Sequence, residues 1–164
     1  MEQITIKINW YGPYTIDDTE YLDGGNGLYM FTGKFKHQRE DPEIQYFGIT
    51  ENSYKGRFKR HHKSPEINRD LNIWLGEIDY PKEHIRQHLE SAESIMVYFW
   101  DPKLNEKKTL TQPKHSTTVI SHWFTKDGNT RINQKGIYKN LPDVICWDGR
   151  YWRTGNLSVF EEST

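Results

Sequence analysis

YFGITENSYKGRFKRHHK, residues Tyr46–Lys63, opens as a buried strand and closes as a helix-like run. From Lys55 to Lys63 it holds five Lys/Arg, two His and no acid, yet the chain of 164 residues carries a formal charge of only −1. Asn52 and Ser53 are good N-caps, so the strand is expected to give way after Thr50 to a short helix from Tyr54 to about His62. Upstream, Leu28–Phe35 (LYMFTGKF) and Ile44–Thr50 (IQYFGIT) are aromatic, β-favouring runs. The polar HQREDPE between them contains Pro42, and the pair is read as an antiparallel hairpin. Downstream, Asn72–Tyr80 reads as a third strand. Ile85, Leu89, Ala92, Met96 and Phe99 then recur at the spacing of an amphipathic helix. Asp79 and Pro81 suit its start. Asp101 precedes Pro102 and avoids helical geometry, so the helix should end near Trp100.

At the N-terminal end Ile4, Ile6, Ile8 and Trp10 alternate with polar residues, the pattern of a half-buried strand. A polar loop with the turn signal DGGNG (Asp23–Gly27) follows. Beyond Lys108, WFTKDGNTRI and ICWDGRYWR each centre on Asp-Gly, a hairpin signal. The reading is an α+β protein: a small antiparallel β-sheet flanked by helices. It divides into an N-terminal strand and loop (1–26), a core (27–105) and a β-rich C-terminal extension (106–164), within one compact unit. Aliphatic content is modest and aromatics make up 14% of the chain, so the core should rest on large rings.

Cys146 is the only cysteine, which excludes an internal disulfide and fits a reducing compartment. The first ten residues lack the basic start and apolar run of a signal peptide. The longest strongly apolar stretch, Ile95–Trp100, is too short to span a bilayer. A soluble, cytoplasmic protein without membrane association is expected. Near-neutral charge removes any argument from overall basicity, but a local patch acts within a Debye length of about 8 Å.

The chemistry-bearing residues fall in a fixed order. Gly27-Leu28-Tyr29 lies on the first hairpin strand and Tyr46-Phe47-Gly48 on the second, and Arg57 and His61 stand four apart on one helix face. Glu93 sits mid-helix, and Asn105 lies three residues past Pro102. In this order the chain resembles the GIY-YIG nuclease family. GLY and YFG match its two tripeptides, RFKRH (Arg57–His61) its Arg helix, and ESIMVYFWDPKLN (Glu93–Asn105) its metal-binding Glu with following Pro and Asn. The resemblance covers residues 27–105. Ile49 stands where many members place Lys, and the gap between the tripeptides is long.

The resemblance implies a metal-dependent endonuclease hydrolysing phosphodiester bonds, with double-stranded DNA as substrate. Glu93, the one carboxylate of the set, implies a single Mg²⁺ (or Mn²⁺). Arg57 would hold the scissile phosphate, its forked guanidinium matching phosphate oxygens. Tyr29 would contact the nucleophilic water, with His61 as base or proton relay, and which of the two takes the proton stays open. Tyr46 would orient the phosphate and Asn105 brace the site from behind. The glycine of YFG is read as a tight turn. Lys55, Lys59, Arg60, His62 and Lys63 would neutralise flanking phosphates without reading bases. Cutting both strands with one site per chain calls for a homodimer or two sequential nicks. A nucleic-acid-binding module without turnover, or a nuclease for RNA or branched DNA, are the alternatives.

Each feature also has a plainer reading. The tyrosines could be strand aromatics, the basic helix a solvated face, and Glu93 a boundary residue. His84 and His88, four apart, read as exposed helix residues rather than metal ligands. Trp147, Tyr151 and Trp152 read as a hairpin's cross-strand aromatics, with Arg150 and Arg153 leaving a base-stacking platform as the rival. Cys146 reads as a small buried hydrophobe.

Overall fold

The computed structural model describes residues 3–22, 27–51, 53–59, 63–105, 111–130 and 141–157. Alternating Ile4, Ile6, Ile8 and Trp10 form β1 (Gln3–Tyr14), which runs four residues beyond Trp10, before the single turn α1 (Ile16–Thr19). A reciprocal Thr15–Asp18 capping box starts that turn. The hairpin is β2 (Gly27–Lys34) against β3 (Glu43–Thr50), antiparallel, with Phe31 opposite Tyr46. After α2 (Tyr54–Lys59) and a 3-10 turn at Ser64–Glu66 comes β4 (Arg69–Tyr80). Helix α3 (Arg86–Trp100) begins later than Pro81 suggests, because β4 uses the chain as far as Tyr80. It stops at Asp101, whose left-handed backbone (φ 47°) precedes Pro102. The remaining strands are β5 (Ser116–Phe124), β6 (Val144–Trp147) and β7 (Trp152–Gly155). The last two flank Asp148-Gly149 as the hairpin signal requires.

The expected architecture is overturned. The seven strands of the described residues belong to one curled, half-barrel sheet of order β3-β2-β4-β1-β5-β6-β7. It is mixed, because β1 lies antiparallel to β4 and parallel to β5. At 45% strand and 19% helix the protein is mainly β, not a small antiparallel sheet flanked by helices. The β-rich C-terminal segment supplies β5, β6 and β7, which continue the same sheet. Cα partners run from Gln3↔Ser116 to Tyr11↔Phe124, so the N-terminal strand welds the two halves together. A parallel pairing of strands more than a hundred residues apart leaves no local signal in either segment.

The two faces carry different cores. Leu28 and Met30 of β2 pack with Leu89, Ala92 and Met96 of α3, while Tyr29 and Phe31 pack with Tyr54 and Phe58 of α2. Period-2 alternation therefore sets α2 and α3 on opposite sides of the sheet. Tryptophans fill the α3 side: Trp10 stacks on Trp123 (5.6 Å, 14°), and Trp74 meets Trp123 edge-on (6.4 Å, 86°). The Trp10 indole N–H donates to Ser121 Oγ at 3.1 Å, satisfying its one polar atom. Among the described residues, no helix is long and apolar enough to cross a membrane.

Trp123 of β5 touches β1 and β4 rings alike. Trp123→Ala is expected to cost about 3–5 kcal/mol, shifting the urea midpoints of fluorescence and circular dichroism together. A loss below about 1 kcal/mol, or separation of the two transitions, would show that the halves do not share one core.

Candidate phosphate-binding site

The site is built on an aromatic ring lying over a missing side chain. Tyr29 of β2 stands opposite Gly48 of β3, and a Cβ at Gly48 would come within 2.3 Å of both Tyr29 Cζ and Oη. The glycine of YFG therefore does not turn the chain, since β3 continues to Thr50; it vacates the space the phenol occupies. Gly27 plays a matching part. Its φ is 148°, and a Cβ there would sit 2.3 Å from Gly76 O and 2.7 Å from Tyr54 Oη. Tyr54, which the sequence reading missed, donates its hydroxyl to the carbonyls of Leu28 (3.2 Å) and Gly76 (3.1 Å), tying α2 to β2 and β4. A glycine inside each of three adjacent strands was the available signal for such a close approach.

Helix α2 lays Phe58 edge-on against the Tyr29 ring (5.0 Å, 87°). Its neighbour Arg57 is thereby aimed at the phenol, and Arg57 Nε donates to Tyr29 Oη at 2.9 Å. The Tyr46 phenol is hydrogen-bonded to both Arg57 and Tyr29, with the two rings 6.0 Å apart. Tyr29 is fully buried, Tyr46 half-buried, and Arg57 open to solvent. Desolvation pushes the Tyr29 phenol well up, and Tyr46 adds to this; the hydrogen bond and charge of Arg57 oppose it without prevailing. For Arg57, burial pulls the guanidinium down, but its bonds to Tyr29 and Tyr46 outweigh that and raise it. The sequence reading set Tyr29 against the attacking water; in this structure its phenol is buried and bonded to Arg57 and Tyr46. It is instead the post that holds Arg57.

Asn105 completes the support. Its Oδ1 accepts from Phe47 N (2.9 Å) and its Nδ2 donates to Phe47 O (2.8 Å), so one carboxamide replaces the missing neighbour of edge strand β3. Leu104 N adds a bond to Gln45 O at 3.1 Å. Glu93 is half-buried on α3, the helix on the other side of the sheet from Arg57, so the sheet separates the elements that carry the two residues. Tyr29, Tyr46 and Arg57 thus form one bonded cluster and Asn105 grips the chain beside Tyr46, whereas Glu93 lies on the helix of the opposite face and is not brought into that cluster. Arg60, His61 and His62 lie outside the described residues, as do the side chains of Lys55 and Lys59; Lys63 is half-buried.

Elsewhere, His88 Nδ1 accepts from Ile85 N at 3.0 Å, which makes it a helix cap. Trp152 pairs with Trp147 (4.7 Å) and packs on Tyr98 and Phe99 of α3, so it is spent on the core rather than on bases. Arg153 is hydrogen-bonded to Asp148. Cys146 is half-buried, its Sγ 3.2 Å from Thr118 Oγ1.

Among the described residues no three His, Cys, Asp or Glu gather to hold a metal by themselves.

Two predictions follow from the phenols. Gly48→Ala should cost about 1–3 kcal/mol, as overpacking in a sealed core does, measured by denaturant unfolding; an unaffected midpoint would mean the Tyr29 ring lies elsewhere. The second concerns alkali. Burial first, then Glu77, likewise raises Tyr54. Unfolded phenols ionise near pH 10, whereas these two keep their protons in the fold. Their contribution to stability is therefore whole below that pH and is lost as pH rises above it. Ultraviolet phenolate titration should leave Tyr29 and Tyr54 silent until the chain unfolds, and Tyr29→Phe should flatten the alkaline fall in stability.

No protein-family model, curated protein or solved structure matches the chain.

Proposed function

We propose that the chain is a metal-dependent endonuclease that hydrolyses phosphodiester bonds of DNA, acting in the cytoplasm. The observation that carries this reading is Arg57, a solvent-facing guanidinium fixed through Nε by a buried phenol. A cation held in place before substrate arrives is what stabilisation of a pentavalent phosphate requires, because little reorganisation is left for the moment of reaction. Arg57 takes the scissile phosphate and Tyr46, at its side, orients a phosphate oxygen. Glu93 holds one Mg²⁺ or Mn²⁺, which when bound supplies Lewis-acid polarisation of the phosphodiester. His61 takes the proton of the attacking water, the role that a sealed Tyr29 leaves to it. Asn105 keeps β3, and with it Tyr46, in register. Lys55, Lys59, Arg60, His62 and Lys63 neutralise neighbouring phosphates.

The burial of Tyr29 also favours a second reading, a nucleic-acid-binding module that has no turnover, since it withdraws one of two candidate bases. A phosphate-led site accepts RNA or branched DNA equally well. Plasmid incubated with Mg²⁺ separates these readings: nicking is expected, and binding without nicking would favour the module. Glu93→Gln should abolish nicking while leaving DNA affinity within about twofold. Arg57→Ala should slow cleavage by about 10²–10³-fold. A loss under tenfold would remove Arg57 from the scissile phosphate.

A further inference from the structure

At the far end of the β2–β3 hairpin from Arg57 lies an open hollow of about 700 Å³, lined by Lys36, His37, Gln38, Arg39, Asn68 and Arg69. Its walls are cations, imidazole and amides, without an acid; Glu40 and Asp41, exposed on the same loop, do not line it. Among the described residues none of Lys36, His37, Arg39 or Arg69 makes an ion pair, whereas Lys7, Lys82, Arg86, Lys126 and Arg153 each face a carboxylate. The loop is held firmly. Arg69 donates to the carbonyls of Phe35 and Gln38, Asn68 Oδ1 accepts from Lys36 N (2.8 Å), and Gln38 Oε1 accepts from Phe35 N (3.1 Å). Like-charged side chains gathered round a hollow on a fixed loop, with no carboxylate lining it or paired to them, are disfavoured until an external anion arrives.

We propose that this hollow binds the phosphate backbone of the polynucleotide whose scissile bond lies at Arg57, so that the substrate runs along the hairpin. This rests on the nuclease reading for the role of Arg57, though not for the anion site itself. Lys36 lies seven residues beyond Tyr29, and at about 3.3 Å per residue the two ends are roughly 23 Å apart. With backbone charges about 3.4 Å apart along each strand, that is a span of roughly seven base pairs. The contacts are to phosphate and carry no sequence information.

The test compares the full chain with Lys36→Ala/Arg39→Ala, two substitutions that leave the loop-holding Arg69 in place, on duplexes of about 20 and about 6 base pairs, the shorter lying below that span. Binding is followed by fluorescence anisotropy in chelator, so that cleavage plays no part. On the long duplex the variant should bind about tenfold more weakly and lose about 1–2 from the slope of log affinity against log salt; on the short duplex it should match the parent. Equal losses on both lengths, an unchanged slope, or no duplex binding by the parent would each overturn the clamp. Displacement of the long duplex by sub-millimolar inorganic phosphate at constant ionic strength would assign the hollow to free phosphate and also overturn it. If plasmid nicking fails while the length-dependent loss persists, the nuclease reading falls and the backbone site stands.

Discussion

Strand β1 is hydrogen-bonded along both edges, antiparallel to β4 and parallel to β5, and the rest of the molecule is arranged around that fact. Closing a loop of about a hundred residues costs only a few kcal/mol more than closing a short one, because the entropy grows with the logarithm of length. Ile6, Ile8 and Trp10, all fully buried, and the stacking of Trp10 on Trp123 offset it. With β1 and β4 occupying the centre, the β2–β3 hairpin is displaced to one margin of the sheet. A margin is where a side chain can be held from beneath and still meet solvent, and Arg57 stands there.

An edge strand carries unpaired main-chain groups that invite another chain. Here Leu104 and Asn105 cover Gln45 and Phe47, so β3 is finished by a loop rather than by a further strand. The same bonds fix the height of Tyr46 relative to Phe31 and Tyr29. Edge protection and site geometry are thus one interaction, which accounts for an Asn, with a donor and an acceptor a peptide's width apart, where an apolar residue would cover the edge equally well but leave Phe47 N–H unpaired.

Much of this was legible in single elements. Alternation exposed β1, the aromatic runs exposed β2 and β3, and Asp101 before Pro102 ended α3 where the steric argument says it must. Asp148-Gly149 marked the β6–β7 hairpin. Assembly was not legible, since nothing in Gln3–Tyr11 or Ser116–Phe124 specifies a parallel partner so distant in the chain. Pro81 misled for a related reason: its fixed φ suits a first helical turn, but β4 pairs with β1 through Tyr80 and defers the helix to Arg86. In the site, residue types identified Tyr29, Tyr46 and Arg57 as companions. What they could not convey was depth. Periodicity puts Tyr29 on the α2 side of the sheet but cannot say that Phe58 packs edge-on against its ring and that its hydroxyl accepts from Arg57 Nε.

The choice of a phenol as the support has an electrostatic consequence. Arg86 is held by Glu51 and Glu90, and the two carboxylates cancel its charge for anything outside. Tyr29 and Tyr46 also fix a guanidinium by hydrogen bonds, but as neutral oxygens they leave its full charge uncompensated. A phenol is already neutral near pH 7, and burial of Tyr29 raises its pKa further, so it does not become a phenolate counter-ion to Arg57. Holding a cation without neutralising it requires a neutral acceptor that stays neutral, and a ring sealed over Gly48 provides one. The result is a positive charge of fixed position at the edge of a nearly neutral protein, suited to an anion as polydentate as a phosphodiester.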